Sequence, residues 1–323
     1  MKNAAYRANV RKLVILAVLM VLAVVLYMVI DVNFANPKFL KFSMKIRTPK
    51  LLAMLVAAFA IGAASIVFQS IINNTIVTPC LLGMNSLYTL LHTAVYFFFG
   101  ASSFLAVNAN AAFMVDLLLM IVVATFIYGY LFKKTNYNVL YVLLIGTVLS
   151  SFFGSVQSTM IRVMDPNEYD ALLLTLVAGF DNINGEIIGS CILLLALLVF
   201  VLRKDLALLD VITLGKEQAI NLGVDYDRCI RRLLIGVSAC IAIATAMVGP
   251  ISFLGLIIAN LGRQLMKTYR HSHLILGASL IGMMTLVAGQ CLVEHVFAYA
   301  IPVSVFITLG GGIYFLYLLM KKR

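Results

Sequence analysis

Charge is what this chain has least of. Only 11% of its 323 residues are Asp, Glu, Lys or Arg, against about 25% in an average soluble domain. That is too little polar side chain to coat a water-facing particle, which excludes a soluble globular fold. The arrangements that carry catalysis are missing as well: there is no GxSxG, no HExxH, no paired cysteine–histidine cluster and no glycine-rich strand-to-helix turn. Gly215-Lys216 resembles the end of a P-loop, but Glu217 replaces the required Ser/Thr and Asp210 stands where the first glycine belongs. Nucleotide binding by this chain is therefore rejected, and no catalytic residue is assigned. The five cysteines (Cys80, Cys191, Cys229, Cys240 and Cys291) form no CxxC or metal-ligand spacing, and read as packing residues. His92, His271, His273 and His295 are dispersed, so no metal site is expected. Ser-, Gly- or Pro-rich linkers, low-complexity tracts and strong internal repeats are absent.

What is present is apolar: 63% of the residues are hydrophobic and the mean hydropathy is +1.05. Ten bilayer spans of about 20 residues each would use about 200 positions. The expected class is all-α, a single polytopic membrane domain over 1–323. Apolar runs lie near 13–30, 51–69, 79–99, 111–132, 138–160, 187–202, 232–248, 252–266, 273–293 and 303–320. The first is long for a signal peptide and no clean cleavage site follows it, so it reads as a retained span. The run 233–261 is too long for one span; Gly249-Pro250 splits it, since proline ends or kinks the preceding helix.

Lys and Arg outnumber Asp and Glu 24 to 13. With ten spans and both termini inside, 18 basic and 5 acidic residues fall in cytoplasmic segments, against 6 basic and 7 acidic outside. That is the bias of the positive-inside rule. Segment 31–50 resists it, because an external loop there would carry Lys38, Lys41, Lys45, Arg47 and Lys50. Loop 161–186 is the longest external connection, and its apolar stretch 171–180, too short to span, suits a re-entrant or pore-lining helix. Asp116 is the one carboxylate within a span, so it is either a pathway residue or a group near a helix end that water can reach. Segment 206–228, inside the cytoplasmic loop 203–231, has amphipathic turns with glycines at 215 and 223. It reads either as a surface helix lying on the membrane or as a docking helix for a cytoplasmic partner.

The stretch from Leu214 to Arg263, LGKEQAINLGVDYDRC followed by VGPISFLGLIIANLGR, resembles the FecCD family of ABC importer permeases, with its LGxxxAxxLGV and GxIxFVGLxxPHxxR patterns. Arg47-Thr48-Pro49-Lys50 is similar to the family's RLPR, Gly62 to Gln69 to its GAxxxxxQ, and Pro79 to Gly83 to its PxxLG. Pro302 and the block from Gly310 to Leu319 resemble PVG followed by GGPFFLYLL. Departures occur where Ala259-Asn260 replaces Pro-His, Asn73-Asn74-Thr75 replaces Arg-Asn-Pro, Gly289 replaces an Asp and Gly312 a proline.

The resemblance implies a type II ABC importer permease for ferric siderophores in a bacterial cytoplasmic (inner) membrane. Haem or cobalamin is the alternative cargo; an ion-coupled secondary transporter using Asp116 is the alternative class. Implied partners are a second permease subunit in a homo- or heterodimer, two cytoplasmic ATPase subunits, a periplasmic or extracellular substrate-binding protein, and membrane lipid; nucleic acid is not among them. The permease itself would hold no cofactor and would not be an enzyme, ATP being bound and hydrolysed by the ATPase. By the same resemblance, Leu214, Gly215, Glu217, Ala219, Leu222 and Gly223 belong to an ATPase-coupling helix, with Leu214, Ala219 and Leu222 supplying its buried contact. Arg47 and Lys50 are the residues for docking the binding protein. Gln69, which closes its motif match, and Asp116 are the candidate pathway residues.

Overall fold

The computed structural model describes residues 2–32, 36–135, 139–180 and 183–321, and all regular structure among them is helical. In chain order the helices are α1 (Lys2–Val29), α2 (Pro37–Ile72), α3 (Met84–Phe99), α4 (Phe104–Val107), α5 (Ala109–Lys134), α6 (Val139–Val163) and α7 (Pro166–Leu176). They continue as α8 (Gly185–Ile212), α9 (Lys216–Asn221), α10 (Tyr226–Val248), α11 (Leu254–Met266), α12 (His271–His295) and α13 (Val303–Lys321). Each expected span falls on one of ten of these, and α4, α7 and α9 are short helices between them. Among the described residues seven helices are long and apolar enough to cross a bilayer, and α11 and α13 are apolar but shorter. The closing basic triplet of the sequence lies largely outside the described residues.

Three boundaries differ from the sequence reading. Most of segment 31–50 is helix: Asn36 caps α2 by accepting from the Lys38 N–H at 3.1 Å, Pro37 fills the first turn, and the helix runs through Pro49 to Ile72. Charge patterning cannot reveal a helix that leaves the bilayer without breaking. Loop 203–231 is likewise mostly helical, since α8 continues to Ile212 and α10 begins at Tyr226. The short helix in 161–186 is Pro166–Leu176, begun by the Asp165 cap, rather than 171–180. The break at Gly249-Pro250 is where expected: α10 stops at Val248 and Gly249 takes φ +84°. There the Val248 carbonyl accepts from the Gly179 N–H at 3.0 Å, so the segment after α7 satisfies backbone at the break.

Helix α2 is the axis of the fold, and α10 and α12 pack along it. Small residues set the approach: a Cβ on Gly62 would meet the Ser279 backbone at 3.2 Å, one on Gly262 the Ala278 backbone at 3.2 Å, and one on Gly255 the Ser65 hydroxyl. In lipid, where burying apolar surface between helices gains little, such close backbone contact is the main source of association. The outer helices show the complementary pattern. Helix α1 exposes Val14, Val18, Leu22 and Leu26, and α8 exposes Leu193, Leu197, Phe200 and Val201. Apolar surface on this scale belongs against lipid, and the chain is a multi-pass membrane protein. Its two ends are called below the α7 face and the α9 face.

Candidate functional site

At the α9 face the chain turns sharply twice. Gly215 (φ +106°) opens α9 and Gly223 (φ +80°) closes it, a backbone region that a side chain strongly disfavours. A Cβ on Gly215 would also meet the Gln218 side chain at 2.8 Å. The second turn closes through Gly223 N–H to Ile220 O at 2.8 Å and Val224 N–H to Ala219 O at 3.0 Å. The two turns hold α9 across the tips of α8 and α10. Ala219 is fully buried against the chain itself, whereas Leu214 (56%), Ile220 (52%) and Leu222 (63%) are exposed. Ala219, expected to face a partner, is therefore packed against the chain and anchors α9, and Ile220 is exposed beside the two leucines. Glu217 is exposed, and Lys216 pairs with Asp227 at 3.0 Å where both are half exposed, a contact worth about 0–1 kcal/mol.

At the α7 face Arg47 and Lys50 are spent inside the chain. The Arg47 guanidinium donates to the carbonyls of Tyr27 and Ile30, each at 2.7 Å, and lies over the Tyr27 ring. It thereby caps the C-terminal end of α1, where carbonyls lack helical partners. Lys50 is buried, 3.4 Å from Glu294 of α12 and over the Tyr299 ring. The same Glu294 oxygen accepts from Tyr27 Oη at 2.9 Å and Gln290 Nε2 at 3.0 Å. These two cations tie α1, α2 and α12 together and do not form an outward patch. The exposed cations of the segment are Lys38, Lys41 and Lys45.

Gln69 is also a structural residue in this conformation. It is 1% exposed, donates to Thr75 O at 2.7 Å and accepts from Arg263 Nε at 3.1 Å. Arg263 also donates to Ser70 Oγ at 2.9 Å, and Asn260 donates to Thr75 O at 2.9 Å. Two of the departures from the family pattern, 73–75 and 259–260, thus meet in one knot. A third, Gly289, sits where a Cβ would come within 2.8 Å of Val303, leaving no room for an acidic side chain.

Asp116 is 3% exposed, not interfacial. Its Oδ2 lies 2.6 Å from His92 Nδ1, and His92 Nε2 lies 2.9 Å from Thr175 Oγ1. The imidazole is flanked by the Tyr88 and Tyr96 rings. Helices α3, α5 and α7 are thereby joined through one ionisable pair in an apolar setting. His271, at the start of α12, makes a comparable bond to Asp210 of α8. Neither pairing was visible in the sequence, because the partners lie 24 and 61 residues apart. The one available signal was the isolated carboxylate itself.

The profile of the FecCD transport family matches residues 8–321. The chain belongs to the FecCD transport family. Among its relatives is the petrobactin import system permease protein YclO of Bacillus subtilis (strain 168), 40% identical over 277 residues, covering 86% of this chain and 88% of that protein. Another is the petrobactin import system permease protein FatC of Bacillus anthracis, 34% identical over 282 residues, covering 86% and 79%. A solved metal-chelate type ABC transporter in an inward-facing conformation superposes with a TM-score of 0.79 at 23% identity, over 97% of this chain and 99% of that one. The fold is that of an ABC transporter permease.

Proposed function

We propose that this FecCD-family chain is the membrane subunit of an ABC importer for ferric siderophores, with a petrobactin-type chelate as the cargo class. The observation that carries this is the 40% and 34% identity to two petrobactin permeases over 86% of the chain. The chain supplies no chemistry. It converts the motion of a partner into alternating access, and the partner's ATP shifts the balance of states through differential contacts.

The exposed Leu214, Ile220 and Leu222 around α9 are the surface for a cytoplasmic ATPase, two copies of which serve a pair of permeases. The basic bias of the α9 face supports a cytoplasmic position for it, and for both termini, in a bacterial inner membrane. The opposite face receives the substrate-binding protein. There the exposed Lys38, Lys41 and Lys45 replace Arg47 and Lys50 as the steering charges, setting encounter rate more than affinity. The departures from the family pattern favour a heterodimer with a second permease.

The test is reconstitution in vesicles with the second permease and binding protein, with and without the ATPase. Uptake of ferric petrobactin is expected to require the ATPase and ATP and to survive collapse of the proton gradient. Uptake driven by that gradient without ATPase would overturn the assignment, and fluorescence quenching of the binding protein by other chelates would redirect the cargo.

A further inference from the structure

Arg203 of α8 is an exposed guanidinium stacked 4.7 Å over the Phe200 ring. Among the described residues no carboxylate comes within ion-pair distance of it; nearby Asp205 faces Arg232 at 3.8 Å instead. The cation stands at one end of an apolar groove of about 720 Å³, walled by Leu55 and Phe59 of α2, Ile192, Ala196 and Val199 of α8, and Met283 of α12. From Ile192 to Arg203 the groove follows eleven helical residues, about 16 Å. That is about half of the 30 Å hydrocarbon core, the depth of one leaflet. A second apolar cavity, of about 380 Å³ and on the α10 side, shares Phe59, Val199 and Arg203 with the first. The guanidinium thus has an apolar cleft on either side.

We propose that this site binds one anionic phospholipid from the leaflet at the α9 face, its phosphate on the Arg203 guanidinium and an acyl chain in the groove between α2, α8 and α12. Guanidinium matches phosphate geometry with paired donors, and a basic residue at the membrane surface favours anionic lipid. The walls offer an acyl chain what lipid-facing surface offers, with one charged end. A second copy of this chain fits less well, because a two-fold contact through the same groove would bring two unpaired Arg203 cations together.

The test uses the full chain purified in detergent, exchanged with equal amounts of phosphatidylglycerol and phosphatidylcholine of identical acyl chains, and read by native mass spectrometry. Wild type is expected to retain phosphatidylglycerol preferentially. Arg203→Gln is expected to lower that preference about fivefold, the scale of one basic residue at an anionic surface, while still retaining phosphatidylcholine. Ala196→Trp, which fills the groove, should lose both lipids. Circular dichroism and thermal unfolding select variants that fold, and either variant alone suffices for the test. Equal retention of the two lipids by wild type, an unchanged preference in Arg203→Gln, or unchanged lipid in Ala196→Trp would overturn the proposal. So would displacement of the lipid by inorganic phosphate, or a dimer that Arg203→Gln dissociates.

Discussion

Lys50 shows how a side chain's role changes once its neighbours are known. Beside Arg47 in an RLPR-like motif it reads as one of a run of surface cations, yet in the fold its ammonium is enclosed with the Glu294 carboxylate. Removing one partner of a buried ion pair leaves the other charge uncompensated and typically costs about 3–5 kcal/mol. Lys50→Met is therefore expected to lower thermal stability in detergent by an amount in that range, and adding Glu294→Leu should restore part of it. A purely outward role would predict normal stability for the single variant. Asp116 makes the same point: its isolation in a span was legible, but its partner His92 was not, since a helix period says which face a residue occupies and nothing about the opposing helix. His92→Ala should remove one of the bonds that hold Thr175 of α7 to α3, and faster hydrogen exchange over 166–176 than in wild type is the readout.

At the scale of elements, α9 is the piece whose identity and ends were most nearly written in the residue order. The glycines at 215 and 223 bracket it, and both adopt the positive φ that glycine permits at least cost. Which of its apolar residues point inward was not legible in six residues, too few for a moment to have meaning. The structure separates them, and that yields opposite expectations for two substitutions. Ala219→Arg should unseat α9 altogether, lowering the amount of folded protein along with uptake. Leu222→Asp, on the exposed side, should leave stability within about 0.5 kcal/mol of wild type while sharply reducing ATP-driven uptake. If Leu222→Asp transports normally, the ATPase contact lies elsewhere. The extra turns of α2 and α8 escaped the hydropathy reading because helices do not stop where the bilayer does.

Across the whole molecule, the order of the ten helices that carry the apolar runs followed from those runs and one Gly-Pro break, while the short α4 and the packing of the helices did not. The contacts that set it are close approaches to a neighbouring helix, to backbone at Gly62 and Gly262 and to the Ser65 side chain at Gly255, and a glycine inside an apolar run does not announce which helix it meets. Gly62→Leu is expected to push α12 off α2 at a cost of about 1–3 kcal/mol, seen as a lower unfolding temperature in detergent. The same change at Gly154 of α6, where an added Cβ meets nothing within this chain, should leave the unfolding temperature of the isolated chain nearly unchanged.

The length of α2 has a mechanical consequence. At 36 residues it measures about 54 Å, and it is pinned at two levels: about a third of the way along, to α1 and α12 by Arg47 and Lys50, and near its C-terminal end, to α11 by Gln69 and Ser70. A rod fastened at two points cannot seesaw against its neighbours without breaking both fastenings at once. Helices α1, α2, α11 and α12 must then travel as one stiff slab, and any alternation of access has to come from the lighter elements hinged on it.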